Sequence, residues 1–285
     1  MKSFFDHECV FVIAEAGKNF IVNDHPSVPQ CLDEARTLAR HAKEAGANAI
    51  KFQTHVAEDE LERRDKSRHE WIRLNESVTP LEEFWKPLKA YCDEIGILFM
   101  TSPMSVKAAE KVNDLVSVWK IGSGDTDNAN LMGYMATTGK PVILSTGMSD
   151  KSEVMAAFDF LRARDVEVAV LQCTSLYPCP VNKLNLRVME NYKIWFECVV
   201  GLSDHSTSVT IPALAVKAGA RIIEKHFTVD KTSMGPDHAG SLDVKELRAM
   251  VQLVRQAEED IFAWGSGDKV VLPEEEEKRA VFRKK

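Results

Sequence analysis

Short runs rich in Val, Ile and Leu alternate along the whole chain with longer stretches whose apolar residues recur at helical spacing. The short runs, bounded by polar loops, predict buried strands, and apolar positions at i, i+3, i+4 and i+7 predict helices with one buried face. Strands are expected at residues 10–14, 47–53, 97–101, 117–121, 142–146, 167–172, 198–202 and 221–225. Helices are expected at 28–45, 81–95, 105–112, 129–138, 150–164, 185–191, 208–218 and 243–263. Gly46, Gly96, Gly139 and Gly219 close four of these helices, where a left-handed residue ends the last turn. Eight strands, each followed by a helix, predict an α/β fold of the (β/α)8, TIM-barrel class. An open doubly wound sheet is the rival, but no GxGxxG follows the first strand.

The barrel is expected to occupy residues 1–265 as one domain. Residues 266–285, with Pro273, four glutamates and a basic end, read as a tail or a severed linker. Residues 55–79 form a long, charged connection after the second strand. In a barrel this loop lies on the catalytic face and serves as a lid, unless it is a solvated helix remote from any ligand.

Composition narrows the function. With 285 residues, 45% of them hydrophobic and 28% charged, the chain can bury a sizeable core. A formal charge of -7 gives no basic footprint for nucleic acid. No apolar run approaches the roughly 20 residues that span a bilayer, and the N-terminus does not resemble a signal peptide. A cytoplasmic protein with no nucleic-acid or membrane partner is expected. The scattered Cys9, Cys31, Cys92, Cys173, Cys179 and Cys198 form no CxxC pair, so they read as reduced thiols. All but Cys173, which falls at a strand end, are expected to be buried small residues.

Residues at the C-terminal ends of barrel strands share one pocket. Glu15 ends the first strand, and a carboxylate there needs a partner or a use. Lys51, Lys120 and Lys225 end the second, fourth and eighth, a pattern for holding an anion or forming a Schiff base. Glycines beside Ser123 and at Gly147 let backbone N–H groups approach a phosphate, with Ser123, Ser145 and Thr146 as further donors. His205 and His226 end the neighbouring seventh and eighth strands, close enough to share a divalent ion. His238 lies on the loop after the eighth strand and is within reach of the pocket. His7, His25, His41, His55 and His69 fall in loops or helices and carry no such argument.

Eight strings stand in order at these strand ends: Ile13-Ala14-Glu15-Ala16-Gly17, Ala49-Ile50-Lys51-Phe52-Gln53, Lys120-Ile121-Gly122-Ser123-Gly124, Leu144-Ser145-Thr146-Gly147-Met148, Cys173-Thr174-Ser175-Leu176-Tyr177-Pro178, Gly201-Leu202-Ser203-Asp204-His205, Glu224-Lys225-His226-Phe227 and Gly235-Pro236-Asp237-His238. Over roughly residues 8 to 265 the chain resembles the catalytic barrel of the sialic acid synthase (N-acetylneuraminate synthase) family, which includes legionaminate and pseudaminate synthases and spore-coat polysaccharide relatives. The resemblance implies a metal-dependent condensation of phosphoenolpyruvate with an N-acetylmannosamine-like sugar, an N-acylated hexosamine, to give a nonulosonic acid and phosphate. It implies Mn2+ as the metal, with Mg2+ or Co2+ as alternatives, held by His205 and His226, and Glu15 as a catalytic carboxylate. Lys51, Ser102, Lys120, Ser123, Ser145, Ser175, Ser203 and Glu224 would bind phosphoenolpyruvate. Gln53, Asp125, Tyr177 and Asp237 would contact the sugar.

The chain departs from the family pattern at Lys18-Asn19-Phe20-Ile21, where many members carry Asn-His, at Asp125, where Glu is common, and at Ser175, where several have Asn. These changes touch the acceptor more than the metal. The family usually continues into a C-terminal antifreeze-like domain that swaps across a dimer; it is absent from this sequence, which leaves open a truncated chain, a cap supplied in trans, a homodimer, or an acceptor site closed another way. Two other readings of the strand ends are a Schiff-base aldolase using Lys51, Lys120 or Lys225, and a non-catalytic barrel that binds a sugar acid.

Overall fold

Among the described residues eight strands form where eight were expected: β1 (Phe11–Gly17), β2 (Ala49–Thr54), β3 (Leu98–Pro103), β4 (Trp119–Ile121), β5 (Val142–Ser145), β6 (Val168–Cys173), β7 (Val200–Asp204) and β8 (Ile222–His226). The coordinates are a computed structural model that describes residues 3–263 and 268–283. All ladders are parallel, in the order β3-β2-β1-β8-β7-β6-β5-β4. β3 and β4 stand side by side at the seam, so the sheet is a nearly closed barrel. Around it lie α1 (Val28–Glu44), α2 (Ala57–Glu60), α3 (His69–Val78), α4 (Lys86–Ile95), α5 (Val106–Val112), α6 (Ala129–Thr137), α7 (Lys151–Arg162), α8 (Val188–Phe196), α9 (Ile211–Lys217) and α10 (Val244–Phe262), and α11 (Pro273–Phe282) follows in the chain.

Local chemistry explains the boundaries. Ser27 caps α1 by accepting from the Gln30 N–H while the Gln30 side chain accepts from the Ser27 N–H, the reciprocal arrangement that satisfies two orphan donors. Asp150 with Glu153 and Asp243 with Glu246 do the same for α7 and α10. Gly96 ends α4 at φ 69°, in the left-handed region that a side chain disfavours. One helix is displaced: α8 begins three residues later than expected and ends five later. Asn185 sits at φ 49°, outside the helical region, and the buried face Met189, Tyr192 and Phe196 carries the helix onward.

Two apolar layers follow from the two-residue alternation of each strand. Outward residues such as Val12, Ala14, Ile50, Phe52, Phe99, Ile121 and Leu144 join α1 and α4 to α10 in one core. Inward residues Phe11, Ile13, Ala49, Met100, Val118, Ile143, Ala169, Leu171 and Ile222 fill the lower barrel. The interior then changes character. The next inward position up each strand is Glu15, Lys51, Ser102, Lys120, Ser145, Cys173, Ser203 or Glu224, each nearly or fully buried.

The charged connection after β2 folds into α2 and α3 joined by 3-10 turns. Where a tail was expected, α11 forms a ten-residue helix with no buried residue; parts of that expected tail, residues 266–267 and 284–285, lie outside the described residues. The cysteines are unpaired, but Cys9 is exposed and Cys198 half-buried, contrary to the expectation that both are buried. Among the described residues no helix is long and apolar enough to cross a membrane.

Candidate active site

At the C-terminal mouth of the barrel a cavity of about 550 Å³ opens. Every residue assigned above to catalysis, phosphoenolpyruvate, sugar or metal lines it. Five cationic side chains and four carboxylates share the wall, so the cavity lining carries a slight positive balance inside a chain of negative net charge.

Its floor is a chain of alternating buried charges. Lys51 Nζ lies 2.5 Å from Glu15 Oε2 and 3.7 Å from Glu224 Oε2, and Lys120 Nζ lies 3.5 Å from Glu224 Oε1. Lys51 donates to Ser102 Oγ at 2.9 Å, Lys120 to Ser145 Oγ at 2.8 Å, and Ser203 to Glu224 Oε1 at 2.9 Å. Burial alone would neutralise these groups. For Glu224 the ammonium groups of Lys120 and Lys51, helped by Ser203, outweigh burial and hold the carboxyl at about 2. Burial would also lower Lys51, yet Glu15 and Glu224 raise it above its ordinary value, so it stays an ammonium. Burial wins at Lys120 and lowers it despite Glu224.

Lys225 is not part of this floor, which corrects its expected place among the anion-binding lysines. Alternation turns it outward, where it donates to Asp204 Oδ2 at 2.6 Å and to Ser206 Oγ at 3.2 Å. It is 1% exposed and does not line the cavity.

Above the floor, the β5 and β6 loops meet at Gly147. A Cβ there would stand 2.7 Å from Cys173 Sγ and 3.0 Å from Ser123 Cβ, and closer still to Ser175 Oγ. Glycine is needed for this approach. Ser175 donates to Ser123 Oγ at 2.8 Å, which joins two of the expected hydroxyl contacts. Burial raises the Cys173 thiol, so Cys173 is a neutral thiol rather than a poised nucleophile.

The two strand-end histidines come together with ring centroids 5.4 Å apart. His205 Nδ1 lies 3.1 Å from the Thr174 carbonyl oxygen. A carbonyl only accepts, so Nδ1 carries the proton and Nε2 keeps its lone pair. Burial and the neighbouring His226 hold His205 down at about 3, which keeps it neutral. His226 Nδ1 is buried without a hydrogen-bond partner among the described residues. These donors fit one divalent ion with open positions. Among the described residues no three His, Cys, Asp or Glu side chains form a ready metal cage.

The outer wall carries the residues that sequence reasoning missed. Phe20, in the string that departs from the family pattern, is fully buried against Phe52 and Phe84 outside the barrel. Lys18 lines the cavity instead, donating to Gln53 Oε1 at 2.8 Å, with Asp237 Oδ2 at 3.8 Å. Arg64, from the connection after β2, donates to Asp125 Oδ2 at 2.6 Å, while Asn128 takes Asp125 Oδ1 at 3.1 Å. Asp125 therefore has both oxygens engaged. Arg64, Arg68 and Trp71 make that connection a wall of the cavity, so it is not remote from the pocket. His238 does not line the cavity; its Nδ1 is 2.7 Å from Thr228 Oγ1. His55 does line it, a placement that continuing the alternation Lys51, Gln53, His55 past the strand end would have found.

Comparison with known proteins follows the same outline. The sequence profile of the NeuB family matches residues 38–268. An uncharacterized protein, MJ1065 of Methanocaldococcus jannaschii, is 38% identical over 270 residues, 94% of this chain and 76% of that protein. The human N-acetylneuraminate-9-phosphate synthase is 36% identical over 278 residues, 94% of this chain and 74% of the synthase. The crystal structure of the N-acetylneuraminic acid (sialic acid) synthetase of Leptospira borgpetersenii serovar Hardjo-bovis in complex with citrate is 34% identical, with a TM-score of 0.82 over 98% of this chain and 94% of that one.

Proposed function

This chain belongs to the NeuB family of sialic acid-type synthases, and from that premise we propose that it joins phosphoenolpyruvate to an N-acylated, mannosamine-like hexosamine, releasing phosphate and a nonulosonic acid. The observation that carries the reading is the floor of the cavity, where Lys51 and Lys120 stand among Ser102, Ser145 and Ser203 with Glu224 between them. Two ammonium groups ringed by hydroxyls suit a small molecule bearing both a phosphate and a carboxylate. The citrate bound by the Leptospira relative is likewise a polyanion.

In this reading the methylene carbon of phosphoenolpyruvate attacks the open-chain aldehyde, a proton is taken up on the aldehyde oxygen, water adds at the former enol carbon, and phosphate leaves by C–O cleavage. Lys51 and Lys120 hold the anion and offset charge as phosphate departs. Glu15, 2.5 Å from Lys51 and accepting from Gln53 Nε2 at 3.2 Å, orients the water. Gly147 brings the hydroxyls of Ser123 and Ser175 to the phosphate side. Gln53, Asp125, Tyr177 and Asp237 face the sugar. Mn2+, or Mg2+ or Co2+ in its place, held by His205 and His226, would supply Lewis-acid polarisation of the aldehyde. The reaction runs in the cytoplasm. Exposed Met148, Leu176 and Tyr177 at the mouth suit a cap provided by a homodimer partner or by a domain in trans.

The test is phosphate release from phosphoenolpyruvate with N-acetylmannosamine and with 2,4-diacetamido hexoses, in Mn2+ and again in chelator. Mn2+-dependent release with one acceptor is expected. No release with any of them, cap domain supplied, would overturn the reading.

A further inference from the structure

Lys51, Gln53 and His55 follow one another at two-residue spacing at the end of β2, and all three line the cavity. Two residues of extended chain rise about 6.6 Å, so His55 stands beyond Gln53, on the outer side from the lysine that meets the phosphate. The His55 side chain is 7% exposed. Its Nδ1 lies 2.8 Å from Glu60 Oε2. Glu60, buried in α2, accepts the Val56 N–H on its other oxygen at 2.7 Å, which fixes the carboxylate against the turn.

A carboxylate accepts, so the ring proton sits on Nδ1 and Nε2 presents a lone pair. Nε2 is buried and has no hydrogen-bond partner among the described residues. His55 lines the cavity while Glu60 does not, so the ring stands between that carboxylate and the cavity. The nearby cations do not answer it: Lys18 donates to Gln53 Oε1 and Arg64 to Asp125 Oδ2. Burial holds the ring below its ordinary value against the pull of Glu60, so the lone pair stays free of a proton. An acceptor orphaned in this way costs free energy until a ligand donates to it.

We propose that the His55–Glu60 pair is a specificity-determining contact for the hexosamine, with Nε2 accepting a hydrogen bond from a hydroxyl or amide N–H at the end of the sugar remote from the aldehyde. The inference rests on the synthase reading above and assigns the outer wall to the distal half of the acceptor. Glu60 is a positioning residue: it selects the tautomer, and an amide at that position could itself donate to Nδ1 and turn Nε2 into a donor.

The experiment compares kcat/KM for N-acetylmannosamine and its 4-deoxy and 6-deoxy analogues in the wild type, in His55→Phe and in Glu60→Gln, with the phosphoenolpyruvate-induced rise in Tm measured on each. Loss of one hydrogen bond to a buried acceptor is worth about tenfold. The wild type is expected to lose about tenfold on one deoxy analogue. Both variants should lose about as much on N-acetylmannosamine and no longer distinguish that analogue, while keeping the Tm response to phosphoenolpyruvate. Should His55→Phe not fold, Glu60→Gln carries the comparison. Unchanged deoxy discrimination in the variants, with turnover intact, would overturn the role of the pair alone. No turnover of phosphoenolpyruvate by the wild type would overturn the synthase reading and the pair's role with it.

Discussion

Replacing Lys120 by Met removes one member of the buried charge chain and leaves the volume largely filled. Glu224 then keeps Lys51, 3.7 Å away, and the Ser203 hydroxyl, but loses the ammonium at 3.5 Å. Holding the carboxyl at about 2 instead of its ordinary 4.5 favours the charged form by roughly 3 kcal/mol at neutral pH. Lys120 supplies the largest opposing share. Taking one partner from a buried pair costs about 3–5 kcal/mol, and relief of burying the ammonium offsets part of it, so a net loss of about 2–4 kcal/mol at pH 7 is expected. Glu224 has its folded value below its unfolded one, so its stabilisation is complete above pH 4.5 and lost as pH falls toward 2. The penalty should therefore shrink by about 1 kcal/mol between pH 7 and pH 3.5. Urea unfolding of Lys120→Met, Glu224→Gln and the double variant at both pH values measures it, with a coupling of about 1–3 kcal/mol expected between the two sites. Additive single effects and a penalty equal at both pH values would refute the charge-chain argument.

Gly147→Ala should cost about 1–3 kcal/mol through overpacking against Ser175, Cys173 and Ser123 and abolish the Tm response to phosphoenolpyruvate; a retained response would show that the hydroxyl cluster is not the phosphate side. Gly96→Ala should cost about 1 kcal/mol in urea unfolding, since the new Cβ meets nothing nearer than Lys43 Nζ at 3.7 Å and the φ of 69° is the sole burden. The metal-free protein should lose stability as pH falls below 6.5: burial holds His55, His205 and His238 below that ordinary value, so the unfolded chain takes up protons that the folded chain refuses. Each contributes up to about 1.4 kcal/mol per pH unit, and denaturation midpoints at pH 7.5 and 5.5 check the sum.

Period-two alternation made the inner half of the site legible. Once the strands were placed, Glu15, Lys51, Lys120, Ser145 and Glu224 had to face inward, because the residues two below them are apolar and fill the barrel. The same rule should have excluded Lys225, whose neighbours Glu224 and His226 both line the cavity. A strand residue between two inward ones points out, and Asp204, its partner across the ladder, was at hand to receive it. The displaced α8 was harder, since its start depends on a left-handed Asn185 that hydrophobic spacing does not register.

The outer half obeys no such rule, and that difference bears on specificity. Lys18 follows the left-handed Gly17 at the end of β1, and Arg64 comes from a 3-10 turn cap in the connection after β2; loop backbones set both, with no strand register to read. Arg64 reaches across from that connection to Asp125 after β4, so its partner is fixed only by the closed shape of the barrel. Lys18 and Asp125, where the sequence departs from the resembled pattern, both line the cavity at this level. Under the proposed reaction, rigid strands hold the groups assigned to the common anion, and the loops above hold those assigned to the acceptor. A substitution at Lys18 or Arg64 should change which sugar is used, and one at Lys51 or Lys120 should weaken the reaction with every sugar.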